Sequence, residues 1–245
     1  MNDVIKLLQR HSSVRKFLAK PVDDVLLQEL IQSGQHASTS NHIQAYSIIR
    51  IKDNNKRNLL AALAGDQQVV MDSPIFFVFC ADLKRLQTAC QLHNGPSDTS
   101  SAETFILATV DTALAAQNIM IAAESVGLGG VYIGGLRNRP QEVCDLLHIP
   151  QHVYPVFGMC LGYPEQVNAV KPRLPLSLVL SEDSYGTSHG QKDLQEYDQI
   201  VANYYSKRTN GERNNTWTEG MAAMLGEKQR SHMKNFLAGQ GFDLD

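Results

Sequence analysis

The sequence predicts one globular domain in which helices and strands are mixed without strict alternation. Two apolar, aromatic runs, 73–82 and 153–164, are typical of strands buried in a core. Residues 103–127 have helical composition and are apolar around most of the helix circumference. Strand and helix do not alternate regularly enough to require a doubly wound parallel sheet.

Length and composition favour a soluble protein with a substantial core. The chain has 245 residues, 43% of them hydrophobic and 19% charged, and a formal net charge of −3. No segment has the composition of a linker, so we expect residues 1–245 to form one domain. Neither the net charge nor any basic stripe indicates a nucleic-acid partner.

Membrane spans, disulfides and zinc are not expected. The N-terminus lacks the apolar run of a signal peptide. Polar residues interrupt the most apolar stretch, near 105–123, and so argue against a membrane span: Asp111, Thr112, Gln117 and Asn118. The four cysteines have no C-x-x-C spacing: Cys80, Cys90, Cys144 and Cys160. A reducing cytoplasm fits this pattern best.

The first half of the chain is predicted to fold as helices and strands joined by short loops. Pro21 and the acidic Asp23 and Asp24 suit the N-terminus of a helix over 23–37. Residues 83–102 contain Gly, Pro, Ser and Asp and are predicted mainly as a loop. The other predicted elements here are helices over 2–10 and 54–64 and strands over 44–52 and 73–82.

The long helix over 103–127 is predicted to end at Gly127, a residue type favoured just beyond a helix C-terminus. Because it is apolar on nearly all sides, we expect it to be central or packed against a partner subunit. The elements predicted after it are a strand VYI, a helix over 140–147, a strand over 153–164, and helices around a polar loop at 207–217.

The stretch GLGGVYIGG is only superficially a dinucleotide-binding fingerprint. Gly127 and Gly129 fit the first two glycines of G-x-G-x-x-G, but Tyr132 occupies the third position. The fingerprint also follows a strand and opens a helix, whereas this stretch follows a helix and leads into a strand. The pair Gly134 and Gly135 instead permits a flat ligand to approach the backbone, or simply forms a tight turn.

Two short stretches place polar side chains at alternating positions. If HSSVRKF is extended, His11, Ser13 and Arg15 share one face and form a candidate site for an anion or a heteroaromatic edge. In KPRLP the prolines favour an extended backbone, so Lys171 and Arg173 share a face that suits a phosphate. On the pattern alone, each stretch could equally be a polar surface segment.

A third polar stretch, STSNHIQ at 38–44, and the isolated Gln67 offer hydrogen-bonding groups for a planar ligand, or lie in plain loops. No Ser/His/Asp set, no paired acids at motif spacing and no metal-ligand cluster is evident in the sequence. Taken singly, these stretches define no reaction.

Taken in chain order, the stretches resemble the FMN-dependent nitroreductases, specifically the NADPH-preferring group A oxygen-insensitive branch and related flavin reductases. The likeness covers essentially the whole chain and rests on HSSVRKF, the loop near 40, AAESVGLGGVYIGGLRN, and LGYPE with KPRLP. It implies an α+β fold with a mixed, mostly antiparallel sheet surrounded by helices. It also implies an intertwined homodimer with two FMN pockets at the interface, in which a C-terminal excursion, about 186–245, embraces the partner subunit.

The resemblance assigns FMN-binding roles by matching positions. Arg15 is expected near the pyrimidine edge, where positive charge stabilises the anionic reduced flavin. Where the family usually has serines, this chain has Thr39 and Asn41, which keep hydrogen-bonding capacity. The complete implied FMN-binding set, in which the two cations of KPRLP hold the phosphate, is His11, Ser12, Ser13, Val14, Arg15, Thr39, Ser40, Asn41, Gln67, Tyr132, Ile133, Gly134, Gly135, Lys171, Pro172 and Arg173.

The polar loop gains a role from the same resemblance. Arg208 and Arg213 match arginines that grip the 2′-phosphate of NADPH, and Glu103 is also placed near the nicotinamide nucleotide. His42 and Arg230 match positions at the substrate pocket, and His42 stands where relatives often have an aromatic residue.

The implied function is NADPH-dependent reduction of nitroaromatics, quinones or related acceptors by ping-pong hydride transfer through flavin N5. Because FMN carries the chemistry, no catalytic side chain and no metal are expected. The partners implied are small-molecule acceptors, including flavins, and a second copy of the chain in the cytoplasm, with no membrane and no nucleic acid. Two alternatives stay open: an NADPH:flavin reductase with incidental nitroreductase activity, and a low-turnover FMN-binding protein.

Overall fold

A computed structural model describes residues 2–166, 168–186, 190–227 and 229–244. The strands in these ranges are β1 (Tyr46–Arg50), β2 (Ile75–Asp82), β3 (Gly129–Ile133) and β4 (Val153–Gly162). The α-helices are α1 (Asp3–Gln9), α2 (Asp24–Gln35), α3 (Asn54–Leu63), α4 (Gln68–Asp72), α5 (Lys84–Leu92), α6 (Ala102–Ser125), α7 (Pro140–Leu147), α8 (Gln191–Arg208), α9 (Trp217–Gly226) and α10 (Met233–Gly239).

The strands form one sheet with the order β1-β2-β4-β3. Every pairing among the described strands is antiparallel, and β2 is buried along its whole length, as its continuous apolar sequence predicts. A register shift between Phe79 and Cys80 interrupts the β2–β4 ladder. The α+β class is confirmed, and the sheet lies between two layers of helices.

Successive side chains of β2 point to opposite faces of the sheet, so the core is divided into two parts. Phe77 and Phe79 point to the face that α2 and α6 cover, where they join Ile119 in one cluster. Phe76 and Val78 point to the opposite face and pack in a second cluster with residues of α3 and α7. The sheet is therefore a rigid platform with buried side chains on both sides.

Helix α6 is not buried on all sides within one chain. Its buried residues include Ala108, Ala115 and Ala116, but three apolar residues one turn apart are exposed: Ile106 by 54%, Val110 by 49% and Leu114 by 41%. We call these three residues the α6 stripe. By length and composition alone α6 could span a membrane, yet eight of its residues, Asp111 and Thr112 among them, are buried in this fold.

Two predictions about the flanking segments have opposite outcomes. Gly127 lies just beyond the end of α6 with a φ of +82°, which confirms its predicted role. The loop predicted over 83–102 is wrong in its first part, because α5 occupies Lys84–Leu92. Gly95 and Pro96, which follow this helix, are typical of loops. The helix itself, KRLQTACQL, consists mostly of residues that favour helices. All four cysteines are free, and only Cys90 is not buried.

The chain divides into two compact units, Met1–Asn168 with His232–Asp245, and Ala169–Ser231. The first unit contains the sheet and helices α1–α7, and α10 returns to it near the C-terminus. The second unit contains KPRLP, α8 and α9. An aromatic contact between Tyr197 and Trp217, with ring centroids 6.0 Å apart, joins α8 to α9.

Candidate functional site

The segment HSSVRKF runs beside the edge strand β3. The Val14 N–H donates to the Gly130 carbonyl at 2.9 Å, and the Val14 side chain is buried. A Cβ added at Gly129 would lie 2.5 Å from Val14 Cγ2, so this glycine makes room for the segment. Because Val14 faces the core, its neighbours Ser13 and Arg15 are left at the surface. The first predicted FMN-binding segment is thus fixed to the sheet.

His11 has a specific partner that the sequence did not indicate. Its Nδ1 lies 2.5 Å from Oε1 of Glu124 near the C-terminal end of α6, and both side chains are largely buried. This contact fixes the imidazole ring and orients Nε2. Ser12 and Val14 help to line a cavity of about 160 Å³ beside Glu124.

Gly135 is required by packing against the chain itself. A Cβ at this position would lie 2.2 Å from the Ala64 carbonyl oxygen and 2.8 Å from Nε2 of Gln67. Gln67 in turn donates from Nε2 to the same Ala64 oxygen at 3.1 Å. At Gly134 an added Cβ would come no closer than 3.4 Å to any atom, a guanidinium nitrogen of Arg137. Gly135 and Gln67 are therefore neighbours, and Gly134 is the more open of the two glycines.

This packing predicts that Gly135→Ala destabilises the fold. We expect the free energy of unfolding to fall by at least about 2 kcal/mol, because the new methyl group collides with backbone. Gly220→Ala is the matched control: a Cβ at this position inside α9 would have nothing within 4 Å, so the stability of this variant should rise slightly. Urea unfolding of both variants measures the difference. Equal stabilities would contradict the close approach at Gly135.

Tyr132 and Ile133 commit their side chains to opposite faces of the sheet. The Tyr132 ring packs edge-on against the Phe157 ring, with the ring centroids 5.1 Å apart. The Tyr132 hydroxyl donates to Oε1 of Gln117 at 3.1 Å. Burial raises the pKa of Tyr132, so the phenol stays protonated and able to donate. Ile133 is fully buried on the other face. A ligand at this segment would therefore meet main chain more than these two side chains.

Residues 39–45, which we call the Thr39 turn, have an unusual backbone. Asn41, His42 and Gln44 have φ values of 49°, 59° and 49°, in the left-handed region that non-glycine residues rarely occupy. Ser40, Asn41 and His42 form its surface-facing part. Two hydrogen bonds hold the Thr39 side chain: its hydroxyl donates to Oδ2 of Asp111 at 2.6 Å and accepts from the Gln44 N–H at 2.9 Å. Asp111 is a part of this site that the sequence did not indicate.

In the second unit, tyrosines of α8 hold KPRLP in place. The Tyr197 hydroxyl donates to the Pro172 carbonyl at 3.2 Å, and Nζ of Lys171 lies 5.9 Å from the Tyr205 ring centroid. Arg173 donates to the Lys171 carbonyl at 2.9 Å. Within the described ranges no carboxylate lies within 4 Å of either cation. The backbone of this stretch is thus held, and both cations are exposed and available to an anion.

The predicted NADPH-binding arginines lie at the end of α8 and in the loop after it. Arg208 is the last residue of α8 and donates to the Tyr204 hydroxyl at 3.3 Å. Arg213 is exposed in the loop, where its N–H donates to Thr209 Oγ1 at 2.9 Å. Arg230 has a φ of 43° between α9 and α10. Glu103 belongs to the first unit, exposed in the first turn of α6.

Within the first unit the predicted residues form two groups. Residues 11–15, β3 and Gln67 are linked through the contacts of Val14 and Gly135. The Thr39 turn is attached elsewhere, at Asp111 of α6. Asp111 and Glu124, the anchors of the Thr39 turn and of His11, are thirteen residues apart on α6, which is about 20 Å along a helix. In the described residues no group of three or more His, Cys, Asp or Glu is arranged to hold a metal.

Two family models match this chain. The model of the nitroreductase family matches residues 7–163, and that of the nitroreductase family C-terminal domain matches residues 171–245. A Cr(VI) reductase of Pseudomonas sp. (strain G-1) is 41% identical over 240 residues, which are 98% of this chain and 99% of the relative. An NADPH-flavin oxidoreductase of Vibrio harveyi is 41% identical over 241 residues, 98% of each chain.

Solved structures agree with this assignment. NfrA1 of B. megaterium superposes with a TM-score of 0.95 at 45% identity, covering 98% of this chain and 99% of that one. Matches of this extent, in sequence and in fold, identify a common family. The chain belongs to the nitroreductase family.

Proposed function

We propose that this chain is an FMN-dependent oxidoreductase that takes electrons from NADPH and reduces nitroaromatics, quinones or related small acceptors. The observation that carries the proposal is the exposed cation pair Lys171 and Arg173 on a stretch that is bonded to α8, with no carboxylate partner in the described ranges. Relatives named Cr(VI) reductase, NADPH-flavin oxidoreductase and, in Salmonella typhimurium, oxygen-insensitive NADPH nitroreductase support it. We place the enzyme in the cytoplasm, where its free cysteines stay reduced.

The residues present fit FMN by their chemistry. A phosphate requires cations without competing carboxylates, and Lys171 and Arg173 provide them within the part of the chain that the structure describes. A flat ring system requires an edge where backbone is accessible, and Gly134 leaves one open at the end of β3. Arg15 is an exposed cation on the segment fixed to the same strand.

When bound, FMN supplies the redox chemistry, accepting a hydride from NADPH and passing electrons to the acceptor. The residues of the chain bind and orient. Arg15 provides positive charge for the reduced, anionic form of the ring, and Lys171 with Arg173 holds the phosphate. Arg208 and Arg213 select NADPH through its 2′-phosphate, with Glu103 beside the nicotinamide nucleotide. Asn41 belongs to the FMN-binding set, and His42 and Arg230 to the substrate pocket.

Two observations support a homodimer whose subunits share each site. The anchors of the Thr39 turn and of His11 are about 20 Å apart along α6, so within one chain the two groups are attached at separate places on that helix. The α6 stripe also exposes apolar surface that a second copy would cover. We infer that the Thr39 turn of one chain completes the site of the other.

Sedimentation tests this assembly. We expect a mass near twice that of the 27.1 kDa chain. Val110→Asp should shift the equilibrium toward monomer and release FMN, because it places a charge within the α6 stripe. Leu92→Asp, at an exposed apolar residue of α5, is the control and should leave the mass unchanged. A wild-type monomer that retained FMN would contradict the shared site.

Initial-rate kinetics test the reaction itself. NADPH and an acceptor that use one pocket in turn should give parallel double-reciprocal lines, the pattern of a ping-pong mechanism. Intersecting lines would require both substrates to bind together and would contradict the proposal. Comparing kcat/KM for a nitroaromatic, a quinone and free FMN separates the main function from its alternative, an NADPH:flavin reductase, which the name of the Vibrio harveyi relative favours.

A further inference from the structure

Asp111 is a buried carboxylate whose hydrogen bonds hold the Thr39 turn. It lies in the middle of the otherwise apolar α6 and is only 3% exposed. Its Oδ2 accepts from the Thr39 hydroxyl at 2.6 Å and from the Ala45 N–H at 3.0 Å. Burying an ionised group is unfavourable unless hydrogen bonds compensate it. An alanine or a leucine at this position could accept neither of these two hydrogen bonds.

The backbone conformation of the Thr39 turn depends on contacts that hold it in place. Three of its residues, Asn41, His42 and Gln44, occupy left-handed backbone conformations, and such conformations persist only where the surrounding contacts enforce them. Thr39 links Asp111 to the backbone of Gln44, since the Thr39 hydroxyl oxygen also accepts from the Gln44 N–H at 2.9 Å. Asp111 and Thr39 together therefore bind the backbone at both Gln44 and Ala45, where the turn enters β1.

We propose that Asp111 is a positioning residue of the FMN site, which fixes the Thr39 turn so that Ser40, Asn41 and His42 are presented to the flavin and the acceptor. This inference rests on the proposed function. Asp111 touches neither ligand; it acts through Thr39 and the two backbone N–H groups. Its position on α6 also couples the turn to the helix whose exposed stripe faces the second copy, so the turn and the subunit interface share one rigid support.

Hydrogen–deuterium exchange and FMN binding test the proposal on the holoenzyme. Asp111→Ala should remove exchange protection at the Gln44 and Ala45 amides. It should also raise the Kd for FMN about tenfold or more, because the turn would then occupy its binding conformation only part of the time. Asp111→Asn keeps an oxygen that can accept both bonds and should recover most of the affinity. If Asp111→Ala does not fold, Thr39→Val removes the same hydroxyl link and should show the same loss of protection at Gln44.

Thr112→Val is the matched control. Thr112 is adjacent and fully buried, but its hydroxyl donates to the carbonyls of Ala108 in α6 and Cys80 in β2 rather than to the turn. The variant should lower stability and leave the Kd for FMN unchanged. A wild-type Kd in Asp111→Ala, whatever its stability, would overturn the positioning role alone. A wild-type protein that bound no FMN would instead overturn the proposed function, while the exchange result would still report whether Asp111 holds the turn.

Discussion

Replacing Lys171 and Arg173 together by alanine is expected to yield a protein that is purified mostly without FMN. Each charge-assisted hydrogen bond to a phosphate contributes about 1.5–3 kcal/mol, so losing two should weaken binding by roughly 10²- to 10⁴-fold. The effect should be this large because both side chains are open to an incoming anion and face no carboxylate in the described chain. Flavin absorbance per chain after gel filtration measures it.

The control for this double variant removes the same charge elsewhere. Lys84 of α5 is exposed and Lys56 of α3 is partly exposed, and replacing both by alanine lowers the net charge equally. FMN content should then equal that of the wild type. Full occupancy in the Lys171→Ala, Arg173→Ala variant would show that the phosphate binds elsewhere.

Arg208→Ala is expected to raise the KM for NADPH by about 10- to 100-fold, the equivalent of one lost charge-assisted contact. The KM for NADH should change by less than about twofold, because NADH lacks the 2′-phosphate that Arg208 is proposed to bind. Since Arg208 ends α8 and donates to the hydroxyl of Tyr204 on the same helix, its removal should disturb little of the fold. Steady-state kinetics with both dinucleotides give the ratio.

Lys192→Ala serves as the control for Arg208→Ala. Lys192 is an exposed cation of the same helix and lies 3.9 Å from Glu196. Its removal should leave the NADPH-to-NADH ratio unchanged. Equal increases in both KM values for Arg208→Ala would contradict selection through the 2′-phosphate.

Local sequence signals predicted most of the fold. Gly127 could be assigned because a glycine after a helix has one common structural cause, the left-handed residue that ends it. The buried strand β2 could be assigned because its eight residues, IFFVFCAD, form an almost continuous apolar run. The prediction at α5 was wrong because the composition of the following loop outweighed that of a short helix with no buried residues.

The candidate site was less predictable, because its contacts join distant residues. Gly135 looked like an opening for a ligand, but its need for glycine comes from the Ala64 carbonyl. Asp111 appeared in the sequence only as an interruption of an apolar run, and its partner Thr39 is 72 residues away. The same holds for His11 and Glu124, which are 113 residues apart. Periodicity cannot report such pairs, because they depend on how elements pack.

If this chain is an FMN-dependent oxidoreductase, NADPH must reduce the flavin that it binds. The most direct test is the visible absorption spectrum of the FMN-reconstituted protein before and after anaerobic addition of NADPH. We expect a bound-flavin spectrum that bleaches on addition of NADPH and returns when a nitroaromatic or quinone is added. A protein that stays colourless after reconstitution, or a bound flavin that NADPH fails to bleach, would contradict it.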